Sequence, residues 1–305
     1  SMMAMNCSQW IDVYAACNTA GFIVGTINFR LAAAEVEFIL RDSQPTVLIF
    51  EEQYAELIDG LRPGLKSVRR FVCIGRRLDW ADEFEDFLAA GDPAGAPIEA
   101  RPDDIAHLIY TSGTTGRPKG VMRSQRADIR LSEGMALAMN MRQDGKILLV
   151  MPLFHIGALA QAFGQILCGG TLIVHRQFEP VAILETIAGE RVNYVHLAPT
   201  MVQGVFDVPG IRDYDLSSIE VFCYAAAPMP VSLLKRGLEL LGPVMLDMYG
   251  GTEMGPVATL YRHRHKLEGS AQEVARLASV GQTFPCSSVR IVDDNGNDLP
   301  AGEVG

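Results

Sequence analysis

Ile105-Ala-His-Leu-Ile-Tyr-Thr-Ser-Gly-Thr-Thr-Gly-Arg-Pro-Lys-Gly-Val121 is the stretch on which the reading of this chain turns. Ile105 to Tyr110 is apolar and β-branched enough to be a buried strand. It runs directly into ten residues holding three Gly, three Thr, one Ser and one Lys, and helical periodicity resumes near Gln125. Glycines free backbone N–H groups, the hydroxyls add further donors, and Lys119 adds a point charge, so the loop can cradle anionic oxygens. It is not a Walker-type loop: Pro118 precedes Lys119 and Gly120 follows it, where that pattern needs Gly-Lys-Ser/Thr. Taken alone, such a loop is more often a polar surface turn between a strand and a helix.

Outward from this stretch, short β-branched runs alternate with amphipathic ones. Strand-like runs are Thr46 to Phe50, Ile147 to Met151, Thr171 to Val174 and Ile219 to Phe222; helix-like ones are Gln9 to Ala20, Ala32 to Arg41 and Val181 to Glu190. The alternation predicts an α/β fold of mainly parallel sheets flanked by helices, with ligands at the carboxyl ends of strands. Gly91-Asp-Pro-Ala-Gly-Ala-Pro97 reads as a linker. Val289 to Val292, then Asp294-Asn-Gly296, reads as a hairpin in a small β-rich region near the end.

The chain has 305 residues, 49% of them hydrophobic and 20% charged, which is ample for a large core. Its net charge is 26 − 36 = −10, so no global basic field draws it to nucleic acid or anionic lipid. No apolar run is long enough for a membrane span. Six cysteines, none in a C-x-x-C pair, suit a reducing cytoplasm and give no zinc site.

Tyr110-Thr-Ser-Gly-Thr-Thr-Gly-x-Pro-Lys-Gly resembles the AMP-binding signature of the adenylate-forming family, which includes acyl- and aryl-CoA synthetases. The family fold this implies is the large N-terminal domain, and the phosphate loop would comprise Thr111, Ser112, Gly113, Thr114, Thr115, Gly116 and Lys119. The family often carries a His where Gln125 stands, and Gln125 inherits no role. Tyr249-Gly-Gly-Thr-Glu253 resembles a second family segment. The resemblance gives Tyr249 a place beside the adenine, Thr252 the α-phosphate and Glu253 a magnesium ion, with Asp247, Gly250, Gly251 and Met254 alongside. Alone, Thr-Glu after two glycines would more often cap a helix. Tyr224-Ala-Ala-Ala-Pro228 resembles the small-residue segment on which a purine lies flat, so Ala226, Ala227 and Pro228 join the nucleotide site.

Met151-Pro-Leu-Phe-His155-Ile-Gly-Ala158 resembles the segment bordering the acyl pocket, which assigns His155, Gly157 and Ala158 to it. A His on such a wall is usually a satisfied core residue. His263 and His265 read as part of a solvated basic loop. The resemblance divides the chain into 1–100, the first βα portion; 101–275, the AMP-binding core; and 276–305, the start of a β subdomain. It implies that elements precede Ser1 and that a mobile C-terminal domain follows Gly305, so that the fold is incomplete at both ends and the chain alone would not turn over.

The activity implied is ATP- and Mg²⁺-dependent conversion of a carboxylic acid to an acyl-adenylate and its transfer to coenzyme A, with Lys119, Thr252, Glu253 and His155 as the acting residues. The absence of an Asp in the Pro-Leu-Phe-His region favours an uncharged aliphatic or aromatic acid. Two other readings stay open: a peptide-synthetase-type adenylation domain, and a non-catalytic nucleotide-binding fragment.

Overall fold

A computed structural model describes residues 1–95, 98–111 and 117–305. Among them, two seven-stranded sheets account for all the named strands. The first sheet holds β1 (Met2–Met3), β2 (Val24–Thr26), β3 (Val47–Glu51), β4 (Arg70–Ile74), β5 (Asp82–Glu83), β6 (Ile105–Thr111) and β7 (Lys119–Ser124), in the order β5-β4-β3-β1-β2-β6-β7. The second holds β8 (Lys146–Leu149), β9 (Thr171–Val174), β10 (Tyr194–Leu197), β11 (Val221–Ala225), β12 (Met245–Gly251), β13 (Gly255–Leu260) and β14 (Gln282–Thr283), in the order β14-β13-β12-β11-β10-β8-β9. Both are parallel except at one edge: β7 is antiparallel to β6, and β13 is antiparallel to both β12 and β14.

The helices are α1 (Gln9–Ala20), α2 (Ala33–Ser43), α3 (Ala55–Leu61), α4 (Phe84–Ala89), α5 (Gln125–Met139), α6 (Ile156–Leu167), α7 (Pro180–Glu190), α8 (Pro199–Phe206), α9 (Val231–Leu241) and α10 (Ala271–Ala275). Their limits follow local chemistry. The Ser124 hydroxyl accepts the Ala127 N–H at 3.3 Å and caps α5, and Asn140 ends it in the left-handed region. Gly21 ends α1 in the same way.

Strand alternation sorts the side chains into three cores. Residues of β3 facing one way pack under α2 and α3, with Leu48, Phe50 and Ile39 fully buried or nearly so. On the far side, Val195, Leu197 and Phe222 face α7, α8 and α9. Between the sheets lies the largest core, where α5 and α6 pack together and meet Met2 and Ile109 of the first sheet and Ile147, Leu149 and Cys223 of the second. The two sheets are also stitched by polar groups. Asn6, buried after β1, donates from Nδ2 to the carbonyls of Met151 (3.1 Å) and His175 (3.2 Å) and accepts the Leu153 N–H at 2.8 Å. The Tyr14 hydroxyl donates to the Leu153 carbonyl at 2.9 Å. Each such buried bond contributes about 1 kcal/mol net, but orphaning its partner costs more.

The expected alternation is present, with one addition. Chain between the glycine-rich loop and α5 is a strand, β7, so the loop closes an antiparallel hairpin instead of leading straight into a helix. Near the end, Val292 bridges Asp298 and the Asp293 N–H donates to the Asn297 carbonyl, a short hairpin-like turn with Gly296 in the left-handed region.

Candidate active site

Two antiparallel hairpins and one strand-to-helix junction carry the chemistry-bearing residues. In the β6–β7 hairpin, Thr111 stands opposite Lys119, so these two residues flank the glycine-rich loop, and Lys119 is exposed. Ser112, Gly113, Thr114, Thr115 and Gly116 lie outside the described residues. In the β12–β13 hairpin, Gly251 pairs with Gly255 and Gly250 with Pro256, with a register shift between Tyr249 and Gly250. The turn therefore presents Thr252, Glu253 and Met254, with Glu253 exposed. The Tyr249 side chain is 52% exposed, which leaves a ring face open.

The junction is the segment between β8 and α6. Asn6 and Tyr14 hold its backbone, and His155 forms the N-cap position of α6 in extended conformation. Phe154 packs beneath, its ring centroid 4.3 Å from that of His155. The His155 ring is open to a cleft whose protein walls, together with the Arg30 charge, push its pKa below the ordinary value. It is therefore neutral at pH 7 and able both to donate and to accept.

A cavity of about 410 Å³ joins the junction to the turn of the β12–β13 hairpin. Of the residues singled out in the sequence, His155, Gly157, Ala158, Ala226, Gly250, Gly251 and Thr252 line it. Thr111, Lys119, Ala227, Pro228, Asp247, Tyr249, Glu253 and Met254 are not in its lining. The remaining wall is mostly apolar: Leu131 and Met135 from α5, Phe178, Met201 and Met248. Arg30 and Arg176 add positive charge, Arg176 being paired at 2.5 Å with the buried Glu51 carboxylate. Among the described lining residues there is no Asp or Glu.

Backbone strain sits at the mouth. Ala226 has φ of 72°, a left-handed conformation that costs a non-glycine residue about 1–2 kcal/mol. Nearby, burial raises the Asp247 pKa to about 6.

One expectation is corrected here. His265 does not belong to a solvated loop: it is buried, its Nε2 lies 2.9 Å from the Tyr224 hydroxyl, and burial lowers its pKa to about 4. His263 is exposed, as expected. The basic residues around His265 disguised it, because charge in the flanking sequence says nothing about which way one ring turns.

Several residues of the site left no motif in the sequence. His196, on β10, lines the cavity with both ring nitrogens unpartnered among the described residues, and burial lowers its pKa to about 4. In Tyr194-Val-His-Leu it reads only as strand core. Arg123 reaches across from β7 to the Thr252 carbonyl at 2.9 Å. Gln125, where a His was the expectation, is buried and donates to the Asn18 carbonyl at 3.1 Å.

Among curated proteins, a feruloyl-CoA synthase of an Amycolatopsis species is 32% identical over 301 residues, which is 98% of this chain and 57% of that protein. An indoleacetate–CoA ligase of Aromatoleum aromaticum is 28% identical over 99% of this chain and 58% of its own length. Among solved structures, the amide bond synthetase McbA from Marinactinospora thermotolerans superposes with a TM-score of 0.86 at 29% identity, over 99% of this chain and 59% of that one. The chain thus spans under two thirds of the length of the relatives it matches. No helix among the described residues is long and apolar enough to cross a membrane. The family described as AMP-binding enzyme matches residues 1–305, the whole of the sequence, and the chain belongs to that family.

Proposed function

We propose that this chain supplies the nucleotide and acid sites of an enzyme that activates a carboxylic acid as its acyl-adenylate and passes the acyl group to coenzyme A. The observation that carries the reading is the single cavity joining the Pro-Leu-Phe-His junction to the turn of the β12–β13 hairpin. An acid seated there has its carboxylate near Thr252, the residue matched to the α-phosphate.

A carboxylic acid is already ionised at pH 7, so no general base is needed. Its oxygen attacks the α-phosphorus of ATP, the bond to the bridging oxygen breaks, and pyrophosphate leaves. In the second step a thiolate attacks the acyl carbonyl and AMP leaves. The protein's task is to hold the attack in line and to stabilise charge. Thr252 would donate a hydroxyl to the α-phosphate, Lys119 would place a cation at the β- and γ-phosphates, and Tyr249 would offer its open ring face to the base. The neutral His155 stands where acid and thiol would meet.

Magnesium fits this donor set. Among the described residues no group of three acidic, His or Cys side chains is placed to form an all-protein cage. Mg²⁺ typically takes one or two carboxylates and completes its shell with phosphate oxygens and water, and the exposed Glu253 offers one such carboxylate. When bound, the ion supplies screening of the triphosphate charge.

The cavity also bears on the acid. With no carboxylate in the described wall to hold an ammonium, an amino acid is disfavoured, and an uncharged aromatic or aliphatic tail suits the apolar lining. The McbA likeness supports a second reading of the last step alone, in which an amine takes the place of the thiol. All six cysteines are free, which suits the cytoplasm.

The test is carboxylate-dependent ATP–pyrophosphate exchange by the complete enzyme across a panel of aryl and aliphatic acids, followed by coenzyme A or an amine. Exchange with none of the acids overturns the reading. Glu253→Gln is expected to abolish exchange, and an unchanged rate at saturating Mg²⁺ removes the ion from Glu253.

A further inference from the structure

A buried cation joins the two hairpins, and nothing in the adenylation reading uses it. Arg123 lies on β7, directly across from His107 of β6 and on the same strand face as Lys119, two pairs of residues away. Its side chain is 4% exposed. Its Nε donates to the Asp128 carboxylate at 2.5 Å, and the other oxygen of that carboxylate lies 2.5 Å from His107 Nδ1. Asp128 sits in the first turn of α5 and is itself mostly buried. From the opposite edge of the guanidinium, Nη1 donates to the carbonyl of Thr252 at 2.9 Å and reaches that of Glu253 at 3.4 Å.

A charge removed from water costs several kcal/mol unless it is paired and its donors are satisfied. Here pairing comes from the first sheet and α5, whereas Nη1 is directed at two consecutive carbonyls of the second sheet's hairpin turn. Those carbonyls belong to the two residues matched to the α-phosphate and the magnesium ion. A simple inter-sheet fastener could end anywhere along β12 or β13; this one ends on the two peptide units whose side chains must face the triphosphate. Only a planar fork can hold a carboxylate on one edge and carbonyls on another; a lysine ammonium cannot span both.

We propose that Arg123, held in place by Asp128 and His107, is a positioning residue that clamps the Thr252–Glu253 turn to the hairpin bearing the glycine-rich loop. The two halves of the triphosphate site are thereby kept at a fixed separation before nucleotide arrives. The inference rests on the adenylation reading for what the turn does, but the clamp itself is a statement about the turn.

Two variants in the complete enzyme test it. Arg123→Met combined with Asp128→Leu removes the buried charges together, so neither is left unpaired and the fold is expected to survive. Arg123→Lys keeps the charge and the Asp128 pair but loses the fork. In both, amide hydrogen exchange of residues 250–256 in the nucleotide-free protein is expected to quicken about tenfold or more, the factor for losing one charge-assisted hydrogen bond. The KM for MgATP is expected to rise about tenfold, while the KM for the acid stays within about twofold, a split that general loosening would not produce. A folded variant with parental amide exchange at 250–256 overturns the clamp. If the double variant does not fold, Arg123→Lys decides by the same two measurements. If the parent shows no pyrophosphate exchange, the adenylation reading fails on its own, and the amide exchange still judges the clamp.

Discussion

Replacing Gly250 with alanine puts the geometry of the β12–β13 turn to its sharpest test. Gly250 pairs with Pro256 at the register shift of that hairpin. A methyl group there would lie 2.6 Å from the carbonyl carbon of Gly255 and 2.6 Å from Cα of Pro256, with the Gly255 oxygen nearer still. Carbon atoms rest about 3.5–4.0 Å apart, so the strands must part by roughly 1 Å. All three neighbours are backbone, and no flexible side chain can yield instead. Thr252 and Glu253 are carried on the displaced segment. Misplacing catalytic groups by about 1 Å costs on the order of 100-fold in rate, or about 2.7 kcal/mol of transition-state stabilisation. Gly251→Ala is the matched control: its methyl would meet only the flexible ends of Glu253 and Met254, at 3.4 and 3.6 Å. Acid-dependent ATP–pyrophosphate exchange by the complete enzyme, with thermal melting to verify the fold, should show a loss of about 100-fold for Gly250→Ala and a change within about threefold for Gly251→Ala. A folded Gly250→Ala enzyme at the parental rate, or equal losses in both, would refute the close-approach argument.

Asp247 predicts a pH dependence of stability. Its folded pKa of about 6 lies above the usual unfolded value of about 3.9, so the native state keeps a proton that the unfolded chain releases. The stabilisation is complete below about pH 4, is lost as pH rises through 6, and amounts to about 3 kcal/mol. Asp247→Asn should therefore match the parent in urea unfolding at pH 4 and exceed it by about that amount at pH 7; an equal difference at both pH values contradicts the burial argument. Gly157→Val should narrow the cavity, since the first atom beyond its position is Cε1 of His196 at 3.6 Å. The KM for bulky acids is expected to rise about tenfold with small acids little affected, in steady-state kinetics across an acid series. A uniform effect on all acids would place Gly157 outside the acid's reach.

Much of this architecture was legible from local pattern. The helix expected over Gln9 to Ala20 and the strand over Thr171 to Val174 coincide with α1 and β9, because apolar periodicity and a terminal glycine are local properties. The strand expected over Ile219 to Phe222 lies instead at Val221–Ala225, displaced because its pairing with β10 and β12, not its own composition, sets its limits. β7 was missed altogether. Lys119 to Ser124 is too polar and glycine-containing to announce a strand, and only the pairing with β6 makes it one.

The sequence by itself determined the element alternation and the family, since apolar periodicity and ordered motifs are properties of the chain alone. The tertiary structure alone decided what holds those motifs to one another. Arg123 with Thr252, Asn6 with Leu153 and Tyr224 with His265 are pairs separated by 41 to 147 residues. Buried polar groups must find partners wherever the packed sheets bring them, and no spacing along the chain records that meeting.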